Sequence, residues 1–286
     1  MQTIAFSKYH GCGNDFVIVG ERAAETSGVS RARLAAQICD RHTGVGADGL
    51  IVVKEDPLEM EIRNSDGSSA PMCGNGIRCF ALYCRDEGLV PPERETYAVR
   101  TLAGEMRVRI LRGDPFEVEI GMGKPDFSPA RSGVADAGED FLRRRVTAAG
   151  RIAEVSSVFM GTVHTVVWTD VNGFDLAKRD ETVRFARALS ELPLYREKTN
   201  VNMARVLNEG AVEVMTWERG AGLTAACGTG ACAVAVVGAL EGRLKRDVKV
   251  VLPYGSLHVR IGESGEVFLS GTAVAVAKGM YRMAPV

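Results

Sequence analysis

The sequence predicts an α/β (α+β) protein of two similar halves, each rich in strands around one central apolar helix. A cysteine–glycine loop opens an apolar, helix-like run at residues 72–83. A second loop of the same kind opens another run at residues 226–237. Short β-like runs, bounded by Gly, Pro, Asn and Asp, surround both.

The spacing of the two loops suggests a duplicated chain. Cys73 and Cys227 lie a little over half the chain apart. Asn14 precedes the first cysteine in a glycine turn, and Thr162 precedes the second in another. Self-similarity of this period is typical of two like domains facing each other, while a chance likeness of two small-residue loops stays the alternative.

The first half alternates strand-like and helix-like segments. A helix is predicted at 30–41 with Ser30 as its N-cap, and another at 74–87 closed by Gly88. Residues 1–20 alternate apolar and polar side chains around a turn at 10–14. The other β-like runs lie at 16–19, 50–53, 60–64, 96–101, 105–111 and 116–120.

Residues 121–145 carry Lys124-Pro125 and Ser128-Pro129 with few apolar residues, which predicts a linker. The second half then repeats the plan, with helices expected at about 180–190 and from the second cysteine loop to about 240. Its strands are expected at 155–159, 164–168, 200–206, 212–217, 248–252, 257–261 and 267–270.

Composition excludes several classes of protein. The chain has 286 residues, which is enough for two domains. The net charge of −1 gives no basic surface for nucleic acid or membrane lipid, and no apolar run approaches the roughly 18 residues of a membrane span. The seven cysteines are an odd number, and the first residues lack a signal-peptide pattern, so we expect a cytoplasmic protein without a disulfide framework. Neither a metal-binding Cys or His spacing nor a P-loop occurs, so no metal or nucleotide cofactor is expected.

The two loop cysteines are the candidate catalytic residues. A thiol at a helix N-terminus meets unpaired backbone N–H groups, which should lower its pKa towards neutrality, where proton transfer works best. Inverting a carbon centre needs one group to remove a proton from one face and another to deliver one to the opposite face. Two cysteines from two like domains suit that task, and the N–H groups of Gly74, Asn75, Gly228 and Thr229 could hold a substrate carboxylate.

The other cysteines have a simpler interpretation. Cys39, Cys79, Cys84 and Cys232 lie in apolar helical runs and should pack in the core. Cys12, in a glycine turn, is also interpreted as structural.

Polar residues near the loops are weaker candidates. Asn14, Asn64, Asn200 and Asn202 stand at turns or strand ends, where asparagine is more often a turn residue than a ligand contact. Glu218-Arg219 could be an exposed ion pair or could bind the ammonium and carboxylate of a zwitterion. Among the histidines, His164 at a turn–strand junction is kept as site-lining.

Together these segments resemble the diaminopimelate epimerase family over essentially the whole chain. The resemblance rests on six runs in order, which are residues 10–16, 40–42, 64–68, 72–79, 199–202 and 218–232. They include His10-Gly11-Cys12-Gly13-Asn14 and Ala226-Cys227-Gly228-Thr229-Gly230.

The resemblance implies two pseudo-symmetric domains, each a β-structure wrapped around a central helix. It places residues 1–124 and 272–286 in the N-terminal domain and 125–271 in the C-terminal domain. It implies a cofactor-independent, two-base epimerisation of LL-2,6-diaminopimelate to the meso form, for lysine and peptidoglycan-precursor synthesis, by a homodimer.

The resemblance also implies roles for individual residues. Cys73 and Cys227 match the catalytic thiolate and thiol, and Gly74, Asn75, Gly228 and Thr229 match the turns that hold a carboxylate. The other substrate contacts match Asn14, Asn64, Asn200, Glu218 and Arg219. Thr162 and His164 could line the substrate.

A few positions depart from the family pattern. Thr162 stands where the family often has Asn, Leu223 where it usually has Glu, and Gly49 where some members have Gln. Alternatives therefore stay open: epimerisation of another amino acid on the same fold, a thiol redox sensor in which Cys73 and Cys227 form a reversible disulfide, or a non-catalytic ligand-binding protein.

Overall fold

The computed structural model describes residues 2–134 and 140–283. The chain forms two compact units, of which unit 1 is Met1–Ile120 with Gly271–Val286 and unit 2 is Gly121–Ser270. Both units mix strands and helices, in agreement with the predicted α+β class.

Unit 1 begins with β1 (Thr3–Gly11), β2 (Asn14–Gly20), α1 (Glu21–Thr26) and α2 (Arg31–Ile38). It continues with β3 (Gly49–Lys54), β4 (Glu59–Asn64), β5 (Ser69–Ala70), α3 (Gly74–Asp86), β6 (Thr96–Thr101) and β7 (Gly104–Gly113). The chain leaves the unit within β8 (Phe116–Gly123). Strands β2 and β3 are parallel, whereas β1–β2, β3–β4, β6–β7 and β7–β8 are antiparallel.

Unit 2 contains α4 (Pro129–Ser132), β9 (Arg144–Ala148), β10 (Arg151–Phe159), β11 (Val163–Trp168), α5 (Thr169–Asn172) and α6 (Arg179–Ser190). Strands β12 (Asn200–Asn208), β13 (Ala211–Glu218) and β14 (Gly222–Thr224) lead to α7 (Gly228–Leu240). Strands β15 (Asp247–Leu252), β16 (Gly255–Ile261) and β17 (Val267–Thr272) follow, and β18 (Val274–Arg282) then pairs with β1 inside unit 1.

The strand pairing of unit 2 repeats that of unit 1. The parallel pair β11–β12 corresponds to β2–β3, and each is followed by an antiparallel pair, β12–β13 or β3–β4. The next pairing is parallel in both units, β13–β15 and β4–β6. The cysteine helix precedes β6 in unit 1 and β15 in unit 2. The repeated topology confirms the duplication that the two loops predicted.

The two cysteine helices form the centres of the units. Helix α3 contacts β1 to β4, and α7 contacts β10 to β13, β15 and β16. Residues from Gly74 to Leu82 in α3 and from Ala231 to Gly238 in α7 are buried. Helix α7 is apolar around its whole circumference and therefore needs packing partners on all sides, which the strands supply.

Two sequence predictions need correction. The helix expected at 30–41 ends at Ile38, because Val45 and Gly46 donate their backbone N–H groups to the Ile38 carbonyl and turn the chain away. The expected linker at 121–145 includes the end of β8, helix α4 and the start of β9, and Asp126 pairs with Phe159 through two backbone hydrogen bonds. Residues 135–139 of that stretch lie outside the described residues. Helices α1 and α5 and strand β18 were missed as elements.

Candidate active site

Cys73 caps the N-terminus of α3. Its backbone is extended (φ −139°, ψ 122°), and its Sγ accepts the backbone N–H of Gly76 at 3.4 Å. The thiol is half-buried, whereas Gly74 and Asn75, which open the helix, are buried. Because the first N–H groups of a helix have no intrahelical acceptor, this turn can receive an anion beside the thiol.

Cys227 occupies the equivalent position in α7. Its backbone is also extended (φ −124°, ψ 109°), and its Sγ accepts the N–H of Gly230 at 3.4 Å. The hydroxyl of Thr229 lies 3.5 Å from the same sulfur. Each unit therefore presents one thiol in one geometry, as the sequence predicted.

The electrostatics of Cys227 differ from the expectation. Burial raises the pKa of the Cys227 thiol well above its usual value, and the adjacent Glu218 carboxylate raises it further. The Thr229 hydroxyl and the Gly230 N–H act in the opposite direction but do not outweigh burial. The prediction of a lowered pKa is therefore wrong for Cys227, because desolvation of a thiolate costs more than the helix N-terminus returns.

Glu218 lies beside Cys227 at the end of β13. Its carboxylate accepts hydrogen bonds from Thr224 Oγ1, at 2.6 Å, and from the Cys227 thiol. Burial raises the pKa of the Glu218 carboxyl, and the two hydrogen bonds oppose that rise. The hydrogen bond between them holds the proton of the Cys227 thiol beside the Glu218 carboxylate.

Glu218 and Arg219 do not form the exposed pair considered as the simpler interpretation. The Arg219 guanidinium donates to the Glu197 carbonyl at 2.7 Å and lies 3.6 Å from the Glu197 carboxylate. The Arg219 backbone N–H donates to Asn200 Oδ1 at 2.9 Å. Asn200 is buried at the start of β12. Its side chain therefore holds the backbone of Arg219 in place through this hydrogen bond.

His164 is fully buried in β11. Asn202 Nδ2 donates to its Nδ1 at 3.2 Å, so the ring hydrogen resides on Nε2, which is buried without a partner among the described residues. Burial and then the charge of Arg219 lower the pKa of His164 to about 3, so the ring is neutral at physiological pH. Thr162 Oγ1, two residues earlier, is likewise buried without a hydrogen-bond partner in the described chain.

Asn14 joins Cys73 in unit 1. Its Oδ1 accepts from Asn75 Nδ2 at 3.2 Å and from the Cys73 thiol at 3.7 Å. Its Nδ2 donates to Asp48 Oδ2 at 2.6 Å. Asn64, by contrast, is exposed at the end of β4 and donates to Ser68 Oγ at 2.9 Å.

The structure gives local reasons for two of the departures from the family pattern. A Cβ at Gly49 would lie 2.8 Å from the Arg63 carbonyl and 3.3 Å from the Phe16 ring, so a side chain does not fit on this backbone. Leu223 is half-buried in β14, where it pairs with Trp217.

The remaining cysteines are packing residues, as predicted. Cys39, Cys79, Cys84 and Cys232 are each at most 1% exposed, and Cys12 is 5% exposed. Burial raises the pKa of Cys79, Cys84 and Cys12.

Sequence reasoning missed two residues of the site, Asp48 and Arg78, and it weighed Asn202 only as a turn or strand-end amide. Asp48 and Arg78 contact the amides around Cys73, and Asn202 lies against the first turn of α7. The only signals for them were an acidic residue in a glycine loop and an arginine inside an apolar helix. Within residues 2–134 and 140–283, no cluster of three His, Cys, Asp or Glu side chains could hold a metal ion, and no helix is long and apolar enough to cross a membrane.

Comparisons with known proteins agree on one family. The model of the family described as diaminopimelate epimerase matches residues 6–128 and 156–276. The diaminopimelate epimerase of Desulforudis audaxviator is 42% identical over 285 residues, covering 96% of this chain and 98% of that protein. That of Alkaliphilus metalliredigens is 36% identical over 283 residues, covering 97% of both.

Solved structures share the fold at low identity. A probable proline racemase from Agrobacterium radiobacter superposes with a TM-score of 0.70 at 14% identity, covering 98% of this chain and 93% of that one. A phenazine biosynthesis protein of the PhzF family from Bacillus anthracis gives 0.65 at 16% identity, covering 99% and 100%. These likenesses show the two-unit fold.

Proposed function

The chain belongs to the diaminopimelate epimerase family, and from that premise we propose that it converts LL-2,6-diaminopimelate to the meso isomer. The protein is thus an isomerase, and its product serves lysine and peptidoglycan-precursor synthesis. The observation that carries the proposal is the pair of equivalent thiol caps, Cys73 on α3 and Cys227 on α7.

We propose that these two cysteines are the acid and the base. One thiolate takes the α-proton, and the electron pair of the broken C–H bond passes to the α-carbon and its carboxylate. The other thiol gives its proton to the opposite face. No electrons are lost or gained, and the two sulfurs finish with their protonation states exchanged, so the step needs only the thiols.

The charge that builds on the substrate carboxylate needs donors. We assign this task to the backbone N–H groups of Gly74, Asn75, Gly228 and Thr229, because each pair opens a helix directly after a catalytic cysteine. Donors fixed in place before the reaction stabilise the developing charge without reorganising, which favours the transition state over the ground state.

The polar side chains are assigned to the remaining substrate groups. Asn14 offers an oxygen beside Cys73, which suits an ammonium group. Arg219, Asn64 and Asn200 are assigned to the second amino-acid end, with Thr162 and His164 as lining residues, while Glu218, which accepts from the Cys227 thiol, is assigned to the ammonium at the reacting carbon. An ammonium that pairs with Glu218 would offset the negative charge that raises the pKa of Cys227.

Two single variants and one control test this function. Cys73→Ala and Cys227→Ala should each lose at least about a thousandfold in epimerisation of diaminopimelate, since each removes one proton-transfer partner. Cys232→Ala, a buried cysteine of the same helix α7, should stay folded and active. Turnover in D₂O should place deuterium at the α-carbon, as seen by NMR.

Full activity of either cysteine variant, or product without α-deuterium, would contradict the proposal. A panel of amino acids that includes proline tests the choice of substrate. If another amino acid is turned over faster than diaminopimelate, the two-base chemistry survives and the substrate assignment does not.

We also propose a cytoplasmic homodimer. All seven cysteines are free thiols, which suits a reducing compartment. Val274, Val276 and Met280 of β18 are 46%, 53% and 61% exposed. Exposed large apolar side chains along one strand form a surface that a second copy can cover symmetrically. Val276→Lys should yield monomers in sedimentation velocity, whereas Leu102→Lys, at a site of unit 1 that is 66% exposed, should not.

A further inference from the structure

A directed chain of hydrogen bonds runs past Cys73 in unit 1. Arg78 Nη2 donates to Asn75 Oδ1 at 2.8 Å, and Asn75 Nδ2 donates to Asn14 Oδ1 at 3.2 Å. Asn14 Nδ2 then donates to Asp48 Oδ2 at 2.6 Å. Two amides thus connect a guanidinium at one end with a carboxylate at the other.

The two ends fix the direction of this chain. A guanidinium can only donate and an ionised carboxylate can only accept, so each amide must turn its oxygen towards Arg78 and its NH₂ towards Asp48. Both ends require the same orientation of Asn14. The amide oxygen of Asn14 therefore faces Cys73, and its NH₂ group is occupied elsewhere.

Both ends are themselves held firmly. Arg78 is fully buried in α3 and also donates to the Gly74 carbonyl at 2.9 Å. Asp48 accepts the backbone N–H of Asp15 at 3.1 Å and the Arg41 guanidinium at 2.8 Å. Neither group can turn without breaking several bonds.

The orientation of Asn14 matters because the Cys73 sulfur is bonded from two sides. The Gly76 N–H donates to Sγ, while the Asn14 oxygen accepts from it at 3.7 Å. An acceptor oxygen stabilises S–H and disfavours a thiolate, whereas an NH₂ group would do the reverse. We infer that Asp48 and Arg78 are positioning residues that hold Cys73 as the proton-carrying thiol in the ligand-free protein. The catalytic meaning of this state, a proton ready for delivery, rests on the proposed function.

The thiolate content of Cys73 can be measured without turnover. In a Cys227→Ala background, the rate of Cys73 alkylation by iodoacetamide is followed against pH by peptide mass spectrometry. The other cysteines are buried, so Cys73 is the reactive thiol. Asp48→Ala removes the charge-assisted bond that holds the Asn14 NH₂ away from sulfur, and only the longer bond from the neutral Asn75 amide, 3.2 Å, then favours the original orientation. The profile of Cys73 alkylation rate against pH should move by about one unit to lower pH. At pH 7 the alkylation should therefore be about tenfold faster.

Two controls separate amide orientation from loss of charge. The Asp15 carboxylate belongs to the same cluster and pairs with Lys8 and Arg41. Asp15→Asn removes its charge but leaves the hydrogen bond between Asn14 and Asp48 intact. Asp15→Asn should change the logarithm of the Cys73 alkylation rate by less than half as much as Asp48→Ala does. In an Asn14→Leu background, Asp48→Ala should change the rate by no more than about twofold, because the rotating amide is gone.

Three outcomes would overturn the inference: an unchanged rate in Asp48→Ala, an equal effect of Asp15→Asn, or an undiminished effect with Asn14→Leu. Circular dichroism checks that each variant is folded. If Asp48→Ala unfolds, Asp48→Ser replaces it, because a serine hydroxyl can either donate or accept and so does not fix the orientation of the Asn14 amide. Epimerase activity is not part of the readout, so the inference can fail while the proposed function stands, and the reverse.

Discussion

Alanine at Gly230 would place a methyl group against a buried amide. The added Cβ would lie 2.4 Å from Asn202 Oδ1, well inside contact distance, and 3.3 Å from the Cys227 sulfur. Asn202 has little freedom to move away, because Thr216 Oγ1 donates to its Oδ1 at 3.0 Å and its Nδ2 donates to His164. The added methyl group therefore has no room between the Asn202 amide and the Cys227 thiol unless one of them moves.

The free-energy terms have different signs. Alanine gains about 1 kcal/mol over glycine in helix propensity. Overpacking of a closed site costs about 1–3 kcal/mol, and a buried hydrogen bond left unmade costs about 1–3 kcal/mol more. The net loss is about 3 kcal/mol, with a range of about 1–5. For a chain of this size the midpoint of thermal unfolding should fall by roughly 5–10 °C.

The equivalent glycine of unit 1 is the matched control. A Cβ at Gly76 would meet only the Cys73 Cβ at 3.3 Å and the tips of two isoleucines at 3.4 Å. Differential scanning calorimetry should place Gly76→Ala within about 1 kcal/mol of the wild type, since propensity offsets the tight contacts. In an Asn202→Ala background, Gly230→Ala should lose most of its cost. An unchanged free energy of unfolding in Gly230→Ala would refute the reasoning. So would an equal loss of stability when Gly230→Ala is made in the Asn202→Ala background.

Three further outcomes follow from buried polar groups. In the unfolded chain His164 takes up a proton below about pH 6.5, whereas in the folded protein its ring stays neutral down to about pH 3. The contribution of His164 to the free energy of unfolding is therefore complete above about pH 6.5, and it falls by about 1.4 kcal/mol for each pH unit of acidification between these two values. In denaturation at pH 7 and pH 5, His164→Gln should flatten that slope and the exposed His258→Gln should not. Tyr195→Phe should cost about 1–2 kcal/mol, because its hydroxyl bonds to two buried hydroxyls, whereas Tyr254→Phe, 71% exposed, should be neutral in urea unfolding. Ser30→Ala should cost about 1 kcal/mol, because Ser30 accepts a first-turn N–H of α2, and a change below about 0.3 kcal/mol would contradict that role.

The fold was largely predictable because its signals are local. Strand runs with β-branched residues, the capping serine at α2 and the glycine after α3 all act within a few residues of chain. Helix α1 and strand β18 escaped prediction for the opposite reason. Strand β18 is mostly exposed, with no alternation of buried and exposed residues, and it is a strand because β1 pairs with it.

The candidate site divides in the same way. The two cysteines could be found from sequence because each stands where a glycine loop meets an apolar helix. Asp48 could not, because its importance lies in contacting an amide 34 positions away. The pKa of Cys227 was predicted in the wrong direction, because the sequence shows the helix N-terminus but not how deeply the thiol is buried.

By itself, then, the sequence determined the duplicated α+β plan, the positions of Cys73 and Cys227 and the helices they cap, since these depend on periodicity and loop composition. The tertiary structure alone decided the electrostatic state of the site. Burial and the Glu218 carboxylate raise the pKa of Cys227, and the fixed amide of Asn14 presents an acceptor to Cys73. Desolvation and hydrogen-bond direction depend on which distant residues the fold brings into contact.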